Sequence, residues 1–175
     1  TDKAAVQTTI DGLNANVATL NKKVADLTPA TTTTDPTAEW KTYTNTTYSY
    51  SIKYPATLML NNTHSESIFF SPDGNANNQS FYIVIAPTNL SLTDLIAAQK
   101  TSKNITGEQS ITLNGVAAYE AVDLGITSSY AILAVKNGYY YKLIVASGNH
   151  DTLAANKAAL TDTQKSMIAS FKFTK

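Results

Sequence analysis

Few side chains in this 175-residue chain are suited to catalysis or metal binding, and their spacing limits what they could do. There are two histidines, His64 and His150, and no cysteine. The missing Cys removes disulfide frameworks, Cys-type zinc sites and thiol nucleophiles. His150 stands beside Asp151, as a Ser/His/Asp hydrolase would need if the acid oriented the imidazole. Adjacent residues point in different directions on most backbones, however, and no G-x-S-x-G elbow is present. Both histidines are therefore expected on the surface. The stretch Asp73-Gly74-Asn75-Ala76-Asn77-Asn78 places oxygens at alternating positions, as an EF-hand loop does at its start. Its sixth position is Asn78 where Gly is needed, and its twelfth is Val84 where a bidentate Glu is needed, so a turn after Pro72 is the expectation. Glu120 and Asp123 are three apart in a strand-like segment, which sends them to opposite faces rather than into a glycosidase pair. Phosphate-binding glycine motifs are missing as well. No catalytic residue, cofactor site or metal site is expected.

Charge narrows the partners. All 13 basic residues are Lys, balanced by 13 acids, with a formal net charge of zero and a pI near 6.6. Without the planar Arg fork, and without a basic stripe, a nucleic-acid partner is not expected. Residues 1–38 carry a net charge of −1 and residues 39–175 a net charge of +1. Neither part has a field able to steer nucleic acid or an anionic membrane. Five N-x-[ST] sequons, at Asn45, Asn61, Asn78, Asn89 and Asn104, say little in a chain so rich in Asn, Ser and Thr. The ten tyrosines say more, because they include the run Tyr139, Tyr140, Tyr141. Alternation on a strand turns Tyr140 away from its two neighbours. Tyr is favoured at recognition surfaces, so these three are candidate partner-binding residues. The other reading is that they fill the helix-covered face of a sheet.

The elements that would position these residues fall into three parts. Residues 1–27 form an amphipathic helix, in which Val6, Ile10, Leu13, Val17, Leu20, Val24 and Leu27 are spaced alternately by four and three. This is a heptad repeat with Ile10, Val17 and Val24 at a and Val6, Leu13, Leu20 and Leu27 at d. β-Branched residues at a with Leu at d favour a two-stranded parallel coiled coil. The e and g positions are nearly uncharged, and Gly12 interrupts the helix at a cost of roughly 1 kcal/mol relative to Ala. Two readings stand: homodimerisation through the seven-residue stripe, or docking of the helix on its own domain. Residues 28–38 are Thr/Pro-rich with no large apolar side chain before the end of the run, as in an extended linker.

Residues 39–175 are long enough for one domain. Alternation marks strands at Tyr48 to Tyr54, Ser67 to Phe70 and Phe81 to Ala86. Two Asn-Gly pairs, Asn114-Gly115 and Asn137-Gly138, predict type I′ hairpins joining Ile111–Leu113 to Val116–Asp123 and Tyr130–Val135 to Tyr139–Val145. The result is a four-stranded meander from Glu108 onward. Ser91 and Asp94 open a helix whose inner stripe is Leu92, Leu95, Ile96 and Gln99. Thr161-Asp162-Thr163-Gln164 is a capping box for a last helix, preceded by a shorter helical segment around Leu153 to Leu160. The tail Phe171-Lys172-Phe173 alternates again and is a candidate closing strand. The fold class is α+β: an antiparallel sheet flanked by helices, with an N-terminal heptad helix.

Three segments in this order resemble the PsbP/Mog1-like family. They are Tyr50-Ser51-Ile52-Lys53-Tyr54-Pro55, the hairpin from Ile111 to Tyr119, and Met167-Ile168-Ala169-Ser170-Phe171-Lys172-Phe173. Ala56-Thr57-Leu58 stands where members often carry Trp, and the single Trp is Trp40. The resemblance implies a non-enzymatic, extracytoplasmic accessory or binding module, secreted or anchored to the cell surface. Its partner would be a protein or cell-envelope component. The chain opens at Thr1, and membrane attachment is expected only through a segment outside these residues. The alternative is a structural subunit of a surface assembly, pilin-like or a surface-layer component, and a hydrolase stands a distant third.

Overall fold

The computed structural model describes residues 2–27, 35–125 and 128–174, without the side chains of residues 24–27 and 76. Two compact units are present, Thr1–Asp35 and Pro36–Lys175. The first is built on helix α1 (Lys3–Leu27), an uninterrupted 25-residue helix that carries Gly12 without a break. Its β-branched residues are accommodated by back-bonding: the hydroxyls of Thr8, Thr9 and Thr19 donate to the carbonyls of Ala4, Ala5 and Ala15 one turn earlier. Among the described residues, no helix is long and apolar enough to cross a membrane.

The second unit, the head, contains strands β1 (Lys41–Asn45), β2 (Tyr50–Tyr54), β3 (Met59–His64), β4 (Ser67–Ser71), β5 (Phe81–Pro87), β6 (Ile105–Leu113), β7 (Val116–Asp123), β8 (Ser129–Lys136), β9 (Tyr139–Val145) and β10 (Lys172–Phe173). Helix α2 (Leu92–Thr101) lies between β5 and β6, and α3 (Leu153–Ala158) and α4 (Asp162–Ser170) precede β10. The architecture is α+β, but the strands form two antiparallel sheets rather than one. The larger has the order β3-β4-β5-β9-β8-β7-β6, and the smaller β1-β2-β10. The tail closes a sheet by pairing with β2, Lys172 opposite Ser51 and Phe173 opposite Tyr50.

Local chemistry explains most of the boundaries. At both Asn-Gly turns the two central residues have positive φ, 48° and 81° at Asn114-Gly115 and 53° and 77° at Asn137-Gly138, as type I′ requires. Thr161 and Gln164 form the capping box of α4, and the Gln164 side chain also donates to the Ala146 carbonyl at 2.7 Å, fixing the helix to the end of β9. Strand β6 starts at Ile105, earlier than the Ile111 that alternation suggests. A register shift between Thr106 and Gln109, with Gly107 at φ 66°, breaks the alternation there.

The two faces of the large sheet are covered unequally. On the first face, Ile68, Phe70, Phe81, Ile83, Tyr141 and Leu143 pack with Tyr50, Ile52, Met167 and Phe171 into the main core. On the second, Ile96 of α2 meets Ile105, Ala121, Ala131 and Leu133 in a smaller cluster. Helix α2 packs against β6, β7 and β8.

Candidate functional site

In α1 the heptad residues form an apolar row along the helix. Val6, Ile10, Leu13, Val17 and Leu20 are 44 to 59% exposed, a degree of exposure unusual for consecutive branched aliphatic residues. Val24 and Leu27 continue the row in sequence, but their side chains lie outside the described residues. Polar side chains flank it, and Gln7 donates to Asp11 across one turn at 2.9 Å. This surface can bury apolar area against another helix. It has no group able to do chemistry.

In the head, the residues with catalytic potential are dispersed. His64 is exposed, 3.9 Å from Glu66, and the His150 ring lies against Gly148. Asp151 is exposed at the start of the turn before α3. In the loop after Pro72, Asp73 accepts from the Asn75 N–H and Asn75 from the Asn77 N–H, both at 2.9 Å. That donation holds the Asp73 carboxyl below its usual range. The Asn75 oxygen caps a short 3-10 turn at Ala76–Asn78. Among the described residues, no group of three or more His, Asp or Glu could hold a metal ion.

Glu120 and Asp123 do face opposite ways, and each has a partner that their own spacing could not reveal. The Glu120 carboxylate is 2% exposed; it accepts from the Tyr130 hydroxyl at 2.6 Å and from Lys157 of α3 at 2.8 Å to both oxygens. Burial and the neighbouring carboxylate push the Tyr130 hydroxyl above its ordinary range. On the second face, Asp123 pairs with Lys142 of β9 at 2.6 Å, with both side chains largely buried. The only sequence signal for either pair is that an acid on a buried strand face needs a cation nearby. Each arrangement joins a strand to another element through a charge-assisted hydrogen bond, as a structural tie does.

The Tyr run divides between the two faces. Tyr141 is buried and donates its hydroxyl to the Tyr48 carbonyl at 2.7 Å, while Tyr139 packs edge-on against Tyr48 with ring centres 5.2 Å apart. Tyr140 lies on the second face, between Ala86 and Val135 in register. Further along that face Phe69, Tyr82 and Ile144 form one cross-strand row, and Val84 stands opposite Lys142. Tyr82 shares a hydrogen bond with Ser67 at 2.7 Å. Phe69, Tyr82, Val84, Tyr140 and Ile144 all remain partly exposed, so this half of the face is apolar, aromatic and open to solvent. The sequence does not mark Phe69, Tyr82 and Val84 as surface residues, because alternation alone does not tell a covered face from an open one.

No family model matches the sequence, and no curated protein matches it. Among solved structures, the chain is similar to a protein from Bacteroides thetaiotaomicron at 14% identity, over 77% of this chain and 48% of that one, with a TM-score of 0.48. It therefore spans about half the length of that protein. It is also similar to the cyanobacterial PsbP of Synechocystis sp. PCC 6803, at 11% identity over 77% and 92% of the two chains with a TM-score of 0.46. A third similarity is to the Ran-binding protein Mog1p of Saccharomyces cerevisiae, at 12% identity over 77% and 95% with a TM-score of 0.43. PsbP and Mog1p are the namesakes of the family that the sequence resembles.

Proposed function

We propose that the chain is a non-enzymatic binding or accessory module that works outside the cytoplasm, in which helix α1 pairs with a second copy and the head contacts a protein or cell-envelope partner. The observation that carries this reading is the exposed row from Val6 to Leu20 on a 25-residue helix. Five large aliphatic side chains held in water are unfavourable, and a second helix with the same stripe removes them from it. Pairing would also place two heads on one stalk. Weak contacts made by each head then add through effective concentration, with no catalytic group needed. On the head, the half-open face around Tyr140 and Tyr82 suits recognition by shape and hydrogen bonding, since Lys142 on that face is already paired with Asp123.

Sedimentation of the full chain against residues 36–175 tests the pairing: a dimer that becomes a monomer when α1 is removed supports it. The leader on the precursor tests the setting and the alternative reading. A lipoprotein or secretion signal upstream supports the accessory module. A prepilin-type leader supports a structural subunit whose α1 packs into an assembly, and an initiator Met directly before Thr1 overturns the extracytoplasmic setting.

A further inference from the structure

We infer that Asn137 is a site of selective, uncatalysed modification, losing its side-chain amide through attack by the Gly138 nitrogen, while Asn114 in a near-identical turn is protected. The two Asn-Gly turns form a natural matched pair. Both join strands of the large sheet, both Asn residues are exposed, and their φ angles agree within a few degrees. At Gly115 and at Gly138 alike, no heavy atom lies within 4 Å of where a Cβ would stand, so the glycine is equally unhindered in each. In a two-residue hairpin turn the second central N–H is not part of the strand ladder, which leaves that nitrogen free at both sites.

One interaction distinguishes them. Asn114 Nδ2 donates to the Phe171 carbonyl at 2.9 Å, from a segment far away in sequence. Rotating the Asn114 amide toward the Gly115 nitrogen would break this bond. Among the described residues no hydrogen bond holds the Asn137 side chain, which is therefore free to sample the reactive rotamer. The chemistry needs only water and ordinary base. The Gly138 amide loses its proton, its nitrogen forms a bond to Asn137 Cγ, and the Cγ–Nδ2 bond breaks as ammonia leaves. Water then opens the resulting five-membered imide at either carbonyl, giving aspartate or isoaspartate at position 137 with no change of oxidation state.

The product alters the hairpin in two ways. A carboxylate appears at its tip, taking the formal net charge from zero to −1. The isoaspartate form adds a methylene to the backbone between Lys136 and Tyr139, which pair in register, and next to the Gly138 carbonyl that accepts from the Thr88 N–H at 2.8 Å.

The test incubates the full chain in mildly alkaline buffer made with heavy-oxygen water and maps label uptake by peptide mass spectrometry. Folded protein should take up label at position 137 at least about fivefold faster than at position 114, the scale expected from one retained hydrogen bond. In urea the two rates should converge, since the fold no longer distinguishes them. Equal rates in the folded protein, faster uptake at 114, or no uptake at 137 overturns the inference. A difference that persists in urea also overturns it, by tracing the selectivity to the neighbouring residues instead of the Phe171 contact. The Asn137→Asp variant provides the chromatographic standard for the aspartate product.

Discussion

Replacing Tyr50 by Phe should make the head more stable. Tyr50 is fully buried, and its hydroxyl makes no hydrogen bond even though Tyr43 and Asn45 are neighbours. A buried, unsatisfied hydroxyl carries a desolvation penalty of about 1–3 kcal/mol, and removing the oxygen relieves it. The ring contacts survive the change: Tyr50 stacks on Phe171 at 5.3 Å and meets Tyr43 and Tyr141 edge-on at 6.0 and 6.3 Å. Set against the small void left by one oxygen, the net gain should be about 1 kcal/mol. Urea unfolding followed by the single Trp40 reads it as a higher midpoint at unchanged slope.

Alkaline pH supplies a second arm. Burial pushes the hydroxyls of Tyr50, Tyr130 and Tyr141 above their ordinary range. Their folded-state values thus lie above those of the unfolded chain. The associated stability is fully present below about pH 10 and is lost as pH rises beyond it, because the unfolded chain gives up protons that the folded one keeps. Each group that keeps its proton in the fold adds up to about 1.4 kcal/mol per pH unit to this slope once the unfolded chain has lost its own, about one unit above pH 10, and Tyr50→Phe should remove one such contribution. A variant destabilised by more than about 1 kcal/mol at neutral pH would refute the reasoning by showing that the hydroxyl is satisfied in the fold, and an unchanged alkaline slope would refute it by showing that burial does not hold the Tyr50 proton.

Tyr130→Phe should have the opposite sign. It removes a charge-assisted hydrogen bond from the buried Glu120, so unfolding free energy should fall by about 1.5–3 kcal/mol in the same assay. Thr161→Ala deletes the cap of α4 and should cost about 1 kcal/mol, read by the same urea midpoint. Pairing through α1 should be nearly insensitive to salt, because its flanking positions are almost uncharged. Raising ionic strength from low to molar levels should shift the dissociation constant less than about threefold, and a larger weakening would point to ion pairs across the interface.

What could be read from the sequence was what local chemistry decides. The Asn-Gly turns, the Thr161–Gln164 cap and the alternating strands around them depend on residues within a few positions of each other. Strands β1 and β3 were not legible. Lys41-Thr-Tyr-Thr-Asn and Met59-Leu-Asn-Asn-Thr-His are largely polar, and they become strands by pairing with β2 and β4 rather than through a pattern of their own. The division into two sheets was equally hidden, since it depends on β10 returning to β2 from the far end of the head. At the candidate site, alternation correctly separated Tyr140 from Tyr139 and Tyr141. It could not show that Phe69 and Tyr82 share the Tyr140 face, because that follows from strand order. Nor could spacing connect Glu120 to Lys157, which meet only when α3 packs on the sheet.

The most direct test of the stalk-and-head account is sedimentation equilibrium at micromolar concentration on three proteins: the full chain, residues 36–175, and the full chain carrying Leu13→Ser and Leu20→Ser. The account predicts a dimer for the first and monomers for the other two, with the serine variant retaining the folded head. Equal monomeric masses for all three would contradict it, and so would a dimer that survives loss of α1.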